Sequence, residues 1–147
     1  MEPDAIISIG AYEACAAFIR DARDAGLNVP IANVSFVGSE NLLNLLIKTS
    51  NEVGKDYTQN LVNSQVVPSY EDESLPVVQQ YEQMMEKYNP MPPAGVYDET
   101  YKPVQHSFVS FEGFLNAKLL VEIIARMGEN IDKANIKNVV ESINELN

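Results

Sequence analysis

The stretch Pro3–Tyr12, with the sequence PDAIISIGAY, is the part of the chain that decides its fold. Residues 4–9 form a short apolar run between Pro3 and Gly10, which is typical of a buried strand in a parallel sheet. From residue 13 to 25 the apolar positions repeat with a helical period instead. The stretch therefore predicts a strand that turns at a glycine into a helix.

Two more strands and a second helix are predicted downstream of this unit. Residues 30–36 read as the second strand and residues 60–67 as the third, and Gly38 opens the helix between them. Gly54 lies near the predicted end of that helix. This β-α-β-α-β order with short links predicts an α/β fold with a parallel, Rossmann-like sheet and right-handed crossovers.

The apolar periodicity also assigns helix faces. In the first helix the predicted core face carries Cys15, Phe18, Ile19 and Ala22, and the outward face carries Arg20, Asp21, Arg23 and Asp24. In the second helix the predicted core face carries Leu42, Leu43, Leu46 and Ile47.

The second half of the chain has a different character. Ser74 is predicted to cap a helix over residues 75–88, and residues 89–104 contain four prolines and read as a loop. Two further helices are predicted over residues 107–127 and 132–145. Three helices without a strand make a lopsided domain, because these helices have no sheet of their own to cover.

Composition and charge restrict the classes of partner. The 147 residues carry a formal net charge of −11 and include only ten Lys and Arg. Nucleic acids and anionic membrane surfaces bind clustered basic residues, so neither is expected as a partner. The sequence has no apolar run of about 18 residues, which a membrane-spanning helix needs. Its start is acidic and does not resemble a secretory signal.

The residues that could carry catalysis are few. His106 is the only histidine, which excludes a multi-histidine metal site or a His-dependent triad within one chain. We expect His106 to be a surface or capping residue, Cys15 to be a buried inert thiol, and Glu71–Glu73 to be a solvated turn rather than a calcium site. The sequence contains no G-x-S-x-G elbow, P-loop or G-x-G-x-x-G fingerprint. We therefore expect a protein that is not an enzyme and that uses no cofactor or metal.

Binding residues are predicted where the first two strands end. In open parallel sheets, ligands bind outside the carboxyl ends of the strands, where helix N-termini also present free amides. Tyr12 follows the first strand, and Ser35 and Phe36 end the second. These side chains could form the rim of a small-molecule site. The alternative is ordinary turn chemistry with a half-buried tyrosine and phenylalanine.

The same residues carry a family resemblance. The units Pro3–Ile7, Gly10–Tyr12 and Phe18–Leu27 resemble the second-lobe strand–helix unit of type I periplasmic binding proteins, in particular the leucine/isoleucine/valine-binding receptors of ABC transporters. The resemblance covers nearly the whole chain apart from residues 89–104. It continues through Ser35–Glu40, Val66–Pro68, Ser74–Val78 with Tyr81, and Ser107–Phe114.

This resemblance implies a three-layer fold of two lobes that close over a ligand. Residues 1–68 would form part of the second lobe, and residues 69–147 would cross back and supply helices of the first lobe. The family's ligand contacts fall on Ala11 or Tyr12, and on Ser35 with Phe36 adjacent. The implied function is that of an extracytoplasmic solute-binding protein of an ABC-type branched-chain amino-acid transport system.

The resemblance also implies a location and partners. It places the protein in the periplasm or outside the cell, with a small solute and a membrane permease as partners. Amino-acid binders of the family commonly have an acidic residue where this chain has Ser35, so a small organic acid or amide is as consistent with the sequence as an amino acid.

Three alternatives stay open at this point. The chain could be the ligand-sensing domain of a signalling receptor, or an enzyme domain of the flavodoxin or Rossmann class. It could also form a homodimer or exchange strands with a second copy, because its C-terminal helices have apolar faces to cover.

Overall fold

A computed structural model describes residues 3–97, 102–129 and 131–144 of the chain. Its first half alternates strands and helices, and its second half is helical, as the sequence predicts. The elements in chain order are β1 (Ile6–Ser8), α1 (Tyr12–Asp24), β2 (Ile31–Asn33), a short 3-10 helix (Ser35–Val37), α2 (Ser39–Val53), β3 (Leu61–Asn63), α3 (Pro76–Tyr88), α4 (Phe108–Met127) and α5 (Lys133–Glu141).

The three strands form one parallel sheet in the order β1-β2-β3. Each strand has three residues and is shorter than predicted, because the chain leaves the ladder to enter the turn at Gly10 and the 3-10 helix at Ser35. The register aligns Ile6, Ile31 and Leu61 across the sheet. The α/β class with a parallel sheet is confirmed.

One face of the sheet is covered by α1 and α2. Their buried side chains pack with Ile31 in a core that comprises Cys15, Ala16, Ile19, Ala22, Ile31, Val37, Leu42, Leu46 and Tyr57. Both helices lie on the same face because two successive right-handed crossovers run in the same direction along the sheet. The described residues thus supply two layers of the Rossmann-like arrangement.

The other face of the sheet is open in the described part of the chain. Ile7 of β1 is 76% exposed and Val62 of β3 is 59% exposed. The first strand was predicted to be a buried strand of a parallel sheet, and among the described residues this does not hold for its central residue, Ile7.

The helix faces depart from the periodic prediction at several positions. Arg23 was predicted to face outward, yet it is only 5% exposed. Phe18, Leu43 and Ile47 were predicted to face the core but are more than two-fifths exposed. These four residues are next to the buried positions of their helices. At such positions, burial depends on the contacts with neighbouring elements more than on the helical period.

The second half packs around a separate core. Val78 and Tyr81 of α3 and Phe111 of α4 are fully buried against one another. Residues 89–97 and 102–107, between α3 and α4, lie in no helix or strand, and residues 98–101 lie outside the described ranges. The last helix was predicted to end at residue 145 but ends at Glu141. Residue 145 itself lies outside the described ranges.

Two predicted caps are corrected by the structure. Leu75, not Ser74, precedes α3, and the Ser74 hydroxyl donates to Asp72 Oδ1 at 2.6 Å. At α4 the cap is Ser107, whose Oγ accepts from the Ser110 N–H, so His106 is not the capping residue. The His106 ring is half-buried and lies edge-on to Tyr81, with ring centroids 5.6 Å apart. Ser74 is not the cap because α3 begins at Pro76, one residue later than predicted, so that Leu75 takes the capping position.

Candidate functional site

The carboxyl ends of the three strands form the edge of the sheet at which binding residues were predicted. Ser8, Asn33 and Asn63 are the last residues of their strands and are aligned in register across the sheet. Residues of one register row point to one face, here the face covered by α1 and α2. The turns that follow these three residues therefore emerge side by side.

A chain of amide and hydroxyl groups fixes this edge. Asn33 Nδ2 donates to Asn63 Oδ1 at 2.9 Å, and Asn63 Nδ2 donates to Ser39 Oγ at 3.0 Å. Gln65 Nε2 donates to the same Ser39 oxygen at 2.7 Å. Asn33 is only 2% exposed, so its bond to Asn63 satisfies an amide N–H that cannot reach water, whereas its Oδ1 is buried without a hydrogen-bond partner among the described residues. The network ties the end of β2, the end of β3 and the start of α2 into one rigid platform.

The sequence analysis did not predict this hydrogen-bond network. A signal for it exists, because an asparagine closes both the second and the third strand after an apolar pair. A polar residue at the last position of an otherwise apolar strand indicates a hydrogen-bond partner at that edge of the sheet.

The predicted residues Ala11 and Tyr12 lie in the turn after β1. Ala11 is the exposed N-cap of α1 and offers no side-chain oxygen to the first helical N–H groups. Tyr12 is the first residue of α1, and its half-buried ring packs against the core. Below this turn a Cβ on Gly10 would lie 3.2 Å from Cys15 Sγ, so glycine lets the backbone pass close to the helix. The Cys15 thiol is buried and lies 3.3 Å from Ser8 Oγ.

The predicted residues Ser35 and Phe36 lie in the 3-10 helix that follows β2. Ser35 is half-buried and Phe36 is 62% exposed. The turn ends at Gly38, whose φ of 75° is in the left-handed region that favours glycine. The structure thus places all four predicted residues at one edge of the sheet, in turns that follow neighbouring strands. Their role in binding stays a prediction.

A cavity of about 330 Å³, which was not predicted, opens beside β3 and is lined by residues of α2, β3 and the start of α4. Its lining includes Glu40 from the first turn of α2, Tyr70, and Phe108 from the first turn of α4. Glu40 Oε1 accepts the Phe108 backbone N–H at 2.9 Å, and the Glu40 carboxylate also forms a hydrogen bond with the Tyr70 hydroxyl. The Tyr70 and Phe108 rings meet edge-on with centroids 4.9 Å apart. This carboxylate therefore links the first half of the chain to α4.

The environment of Tyr70 gives a prediction for alkaline pH. Partial burial, together with the charge and hydrogen bond of Glu40, raises the pKa of Tyr70 from 10.0 to about 12. The pKa of Tyr70 is higher in the folded than in the unfolded protein. The contribution of the protonated Tyr70 hydroxyl to the free energy of unfolding is therefore fully present below pH 10 and is lost as the pH rises toward 12. We expect Tyr70→Phe to remove one late-titrating phenol from a near-ultraviolet absorbance titration. Tyr88→Phe, at a 60% exposed position, is the control and should leave that late phase in place.

Within the described ranges, no helix has the length and hydropathy needed to cross a membrane. Those ranges also contain no group of three or more His, Cys, Asp or Glu side chains arranged to hold a metal ion.

Comparison with known proteins gives two similar solved structures. One is a possible leucine/isoleucine/valine-binding protein from Rhodopirellula baltica SH 1, with 30% sequence identity and a TM-score of 0.74 over 99% of this chain and 34% of that one. The other is an extracellular ligand-binding receptor from Verminephrobacter eiseniae ef01-2, with 19% identity and a TM-score of 0.68 over 99% of this chain and 36% of that one. No protein-family model and no curated protein matches the sequence. The chain spans about a third of the length of the solved structures that it matches.

Proposed function

We propose that this chain forms one wall of the ligand cleft in an extracytoplasmic solute-binding protein of the type I periplasmic binding protein family, the family that its sequence resembles. The proposal is supported by its similarity, over 99% of its length, to a possible leucine/isoleucine/valine-binding protein and to an extracellular ligand-binding receptor. The main support for the proposal is the position of the predicted binding residues at the carboxyl edge of the sheet. There Tyr12 and Phe36 follow adjacent parallel strands beside the hydrogen-bonded side-chain amides of Asn33 and Asn63.

The chemistry of this edge suits a small organic solute. The N-cap residue of α1 is Ala11, which has no side-chain oxygen, and the N-terminus of a helix attracts a carboxylate or carbonyl oxygen. The ring of Phe36 is 62% exposed and offers apolar surface that a solute would bury. Ser35 supplies a hydroxyl but no charge. We propose a small organic acid, an amide or an amino acid as the ligand class.

The opposite wall of the cleft would come from residues beyond this chain. The chain matches about a third of its solved neighbours, and Ile7 and Val62 leave one face of its sheet uncovered. In our proposal residues 1–68 belong to the second lobe, and residues 69–147 return to the first. Closure of the lobes about their connections would then trap the solute.

The more specific role that we propose is based on the neighbour with the higher sequence identity, the possible leucine/isoleucine/valine-binding protein. We propose that the protein delivers its solute to a membrane permease of an ABC-type branched-chain amino-acid transport system, in the periplasm or outside the cell. The second candidate is the sensing domain of a signalling receptor, which the description of the Verminephrobacter structure as a receptor favours. An enzyme is the least supported reading, since both neighbours are described as binding proteins or receptors.

The decisive experiment is calorimetric titration of the full-length protein with a panel of solutes. The panel would contain leucine, isoleucine, valine, small aromatic acids and their amides. Saturable one-to-one binding of at least one class without turnover supports the proposal. Chemical conversion of a bound solute would overturn the non-enzymatic assignment, and the absence of binding across the panel would count against the solute classes proposed.

The cleft residues give a mutational prediction. We expect Tyr12→Ala and Phe36→Ala each to weaken binding of the identified solute about tenfold, because each removes part of the apolar surface that the ligand buries. The matched control is Phe18→Ala, which truncates a 42% exposed ring on α1 away from the strand ends and should leave the affinity unchanged. Unchanged affinity in both cleft variants would remove these residues from the site.

Self-association of the isolated 147-residue chain stays a prediction. Exposed Ile7 and Val62 would be covered in a homodimer or by an exchanged strand. Sedimentation velocity at rising concentration tests this, and a compact monomer throughout would argue against it.

A further inference from the structure

The cavity beside β3 has a chemistry that the proposed cleft does not use. Its lining contains none of Ala11, Tyr12, Ser35 and Phe36. It combines one acidic group with aromatic and aliphatic surface, from Ser39, Glu40, Leu42, Leu43, Thr58, Leu61, Asn63, Tyr70 and Phe108. Among the described residues, no basic side chain lines this cavity. We propose that this cavity is a second binding site, for a small apolar solute that carries a positively charged amine.

Glu40 is the group that would hold the amine. Its hydrogen bonds go to the Phe108 N–H and the Tyr70 hydroxyl, both of which are neutral donors. None of the ion pairs found among the described residues involves Glu40. A carboxylate has about four acceptor positions, so two further positions remain for an ammonium group. Glu40 is half-buried, and charges are screened less there than at the exposed surface. An ammonium group would therefore be attracted more strongly by this carboxylate than by an exposed one.

The rest of the cavity fits the remainder of such a solute. The rings of Tyr70 and Phe108 adjoin Glu40, and aromatic faces attract cations. Leu42, Leu43 and Leu61 supply the aliphatic wall. The volume of about 330 Å³ is at the lower end of the roughly 300–1,000 Å³ of small-molecule sites. The net charge of −11 adds a general attraction for cations.

The test compares three probes of one shape on the full-length protein. Isopentylamine is cationic, isopentanol is neutral and isovalerate is anionic, and each is titrated by calorimetry. We expect saturable binding of the amine, binding of the alcohol that is about 10- to 100-fold weaker, and no binding of the acid. Equal affinities for amine and alcohol, or tighter binding of the acid, would overturn the proposal.

Glu40→Gln tests the role of the charge. Gln keeps an acceptor oxygen for the Phe108 N–H, so the link to α4 can persist while the charge is lost. We expect this variant to weaken amine binding about 10- to 100-fold. The matched control is Glu13→Gln, because Glu13 is the second residue of α1 as Glu40 is of α2. An equal loss in both variants would mean that general charge, not this cavity, attracts the amine.

A second variant covers the case in which Glu40→Gln perturbs the fold. Leu43→Trp puts an indole in the cavity from a position that is 46% exposed, and we expect it to block the amine. Amine binding that survives Leu43→Trp but disappears in Phe36→Ala would place the amine in the cleft and overturn the second site. Because the cleft residues are tested with a different panel, failure of either proposal leaves the other standing.

Discussion

Phe111→Ala is expected to destabilise the helical half of the protein by about 3–5 kcal/mol. Phe111 is fully buried between α3 and α4, and its ring centroid lies 5.0 Å from that of Tyr81. Truncation removes apolar contacts and leaves a cavity that Val78 and Tyr81 fill only in part. Hydrogen exchange of α3 and α4 in the full-length protein measures the effect. Amides that exchange through opening of this unit should do so about two to four orders of magnitude faster, since about 1.4 kcal/mol corresponds to a factor of ten.

The control for Phe111 is Val109→Ala, two residues earlier on the same helix. Val109 is 55% exposed, so its truncation should change the exchange of α3 and α4 by well under tenfold. If Phe111→Ala had no larger effect than Val109→Ala, the buried cluster would not be what holds α3 and α4 together. The comparison separates core packing from a simple change of helix propensity, because both variants create an alanine in α4.

Arg23→Ala is expected to destabilise the first half of the chain by about 3 kcal/mol. Arg23 is 5% exposed, and its guanidinium donates to the carbonyls of Leu27 at 2.6 Å, Val29 at 3.1 Å and Gln59 at 3.0 Å. These bonds fasten α1 to the loop before β2 and to the loop before β3. Alanine leaves the three carbonyls without this donor. Hydrogen exchange of residues 27–31 and 59–61 should speed up by about a hundredfold.

Two variants accompany Arg23→Ala. Arg20→Ala is the matched control, because Arg20 lies on the same helix with a side chain that is 44% exposed and forms an ion pair with Asp21, and exposed pairs of this kind contribute little. Arg23→Lys keeps the charge but cannot span three carbonyls with the same fork, so we expect an intermediate loss. Similar exchange in Arg23→Ala and Arg20→Ala would show that the buried guanidinium does not fasten the loops.

Only part of the candidate binding site could be predicted from the sequence. Strand ends and the glycines after them are local signals, which is why Ala11, Tyr12, Ser35 and Phe36 could be assigned to one edge of a sheet. The platform beneath them joins Asn33 to Asn63 and Asn63 to Ser39. Which polar side chains pair across strands depends on register, and register follows from the packing of both helices against the sheet.

The amino-acid sequence alone determined the β-α-β-α-β order, the parallel sheet, the three C-terminal helices and the family resemblance. These features rest on patterns that repeat within a few residues, such as the apolar run of Pro3–Tyr12 and the left-handed glycine Gly54 that ends α2. Only the tertiary structure decided that Arg23 is buried and that Glu40 bonds the start of α4, 68 residues away. Contacts of that span leave no periodic trace, because they depend on how completed elements pack rather than on neighbouring residues.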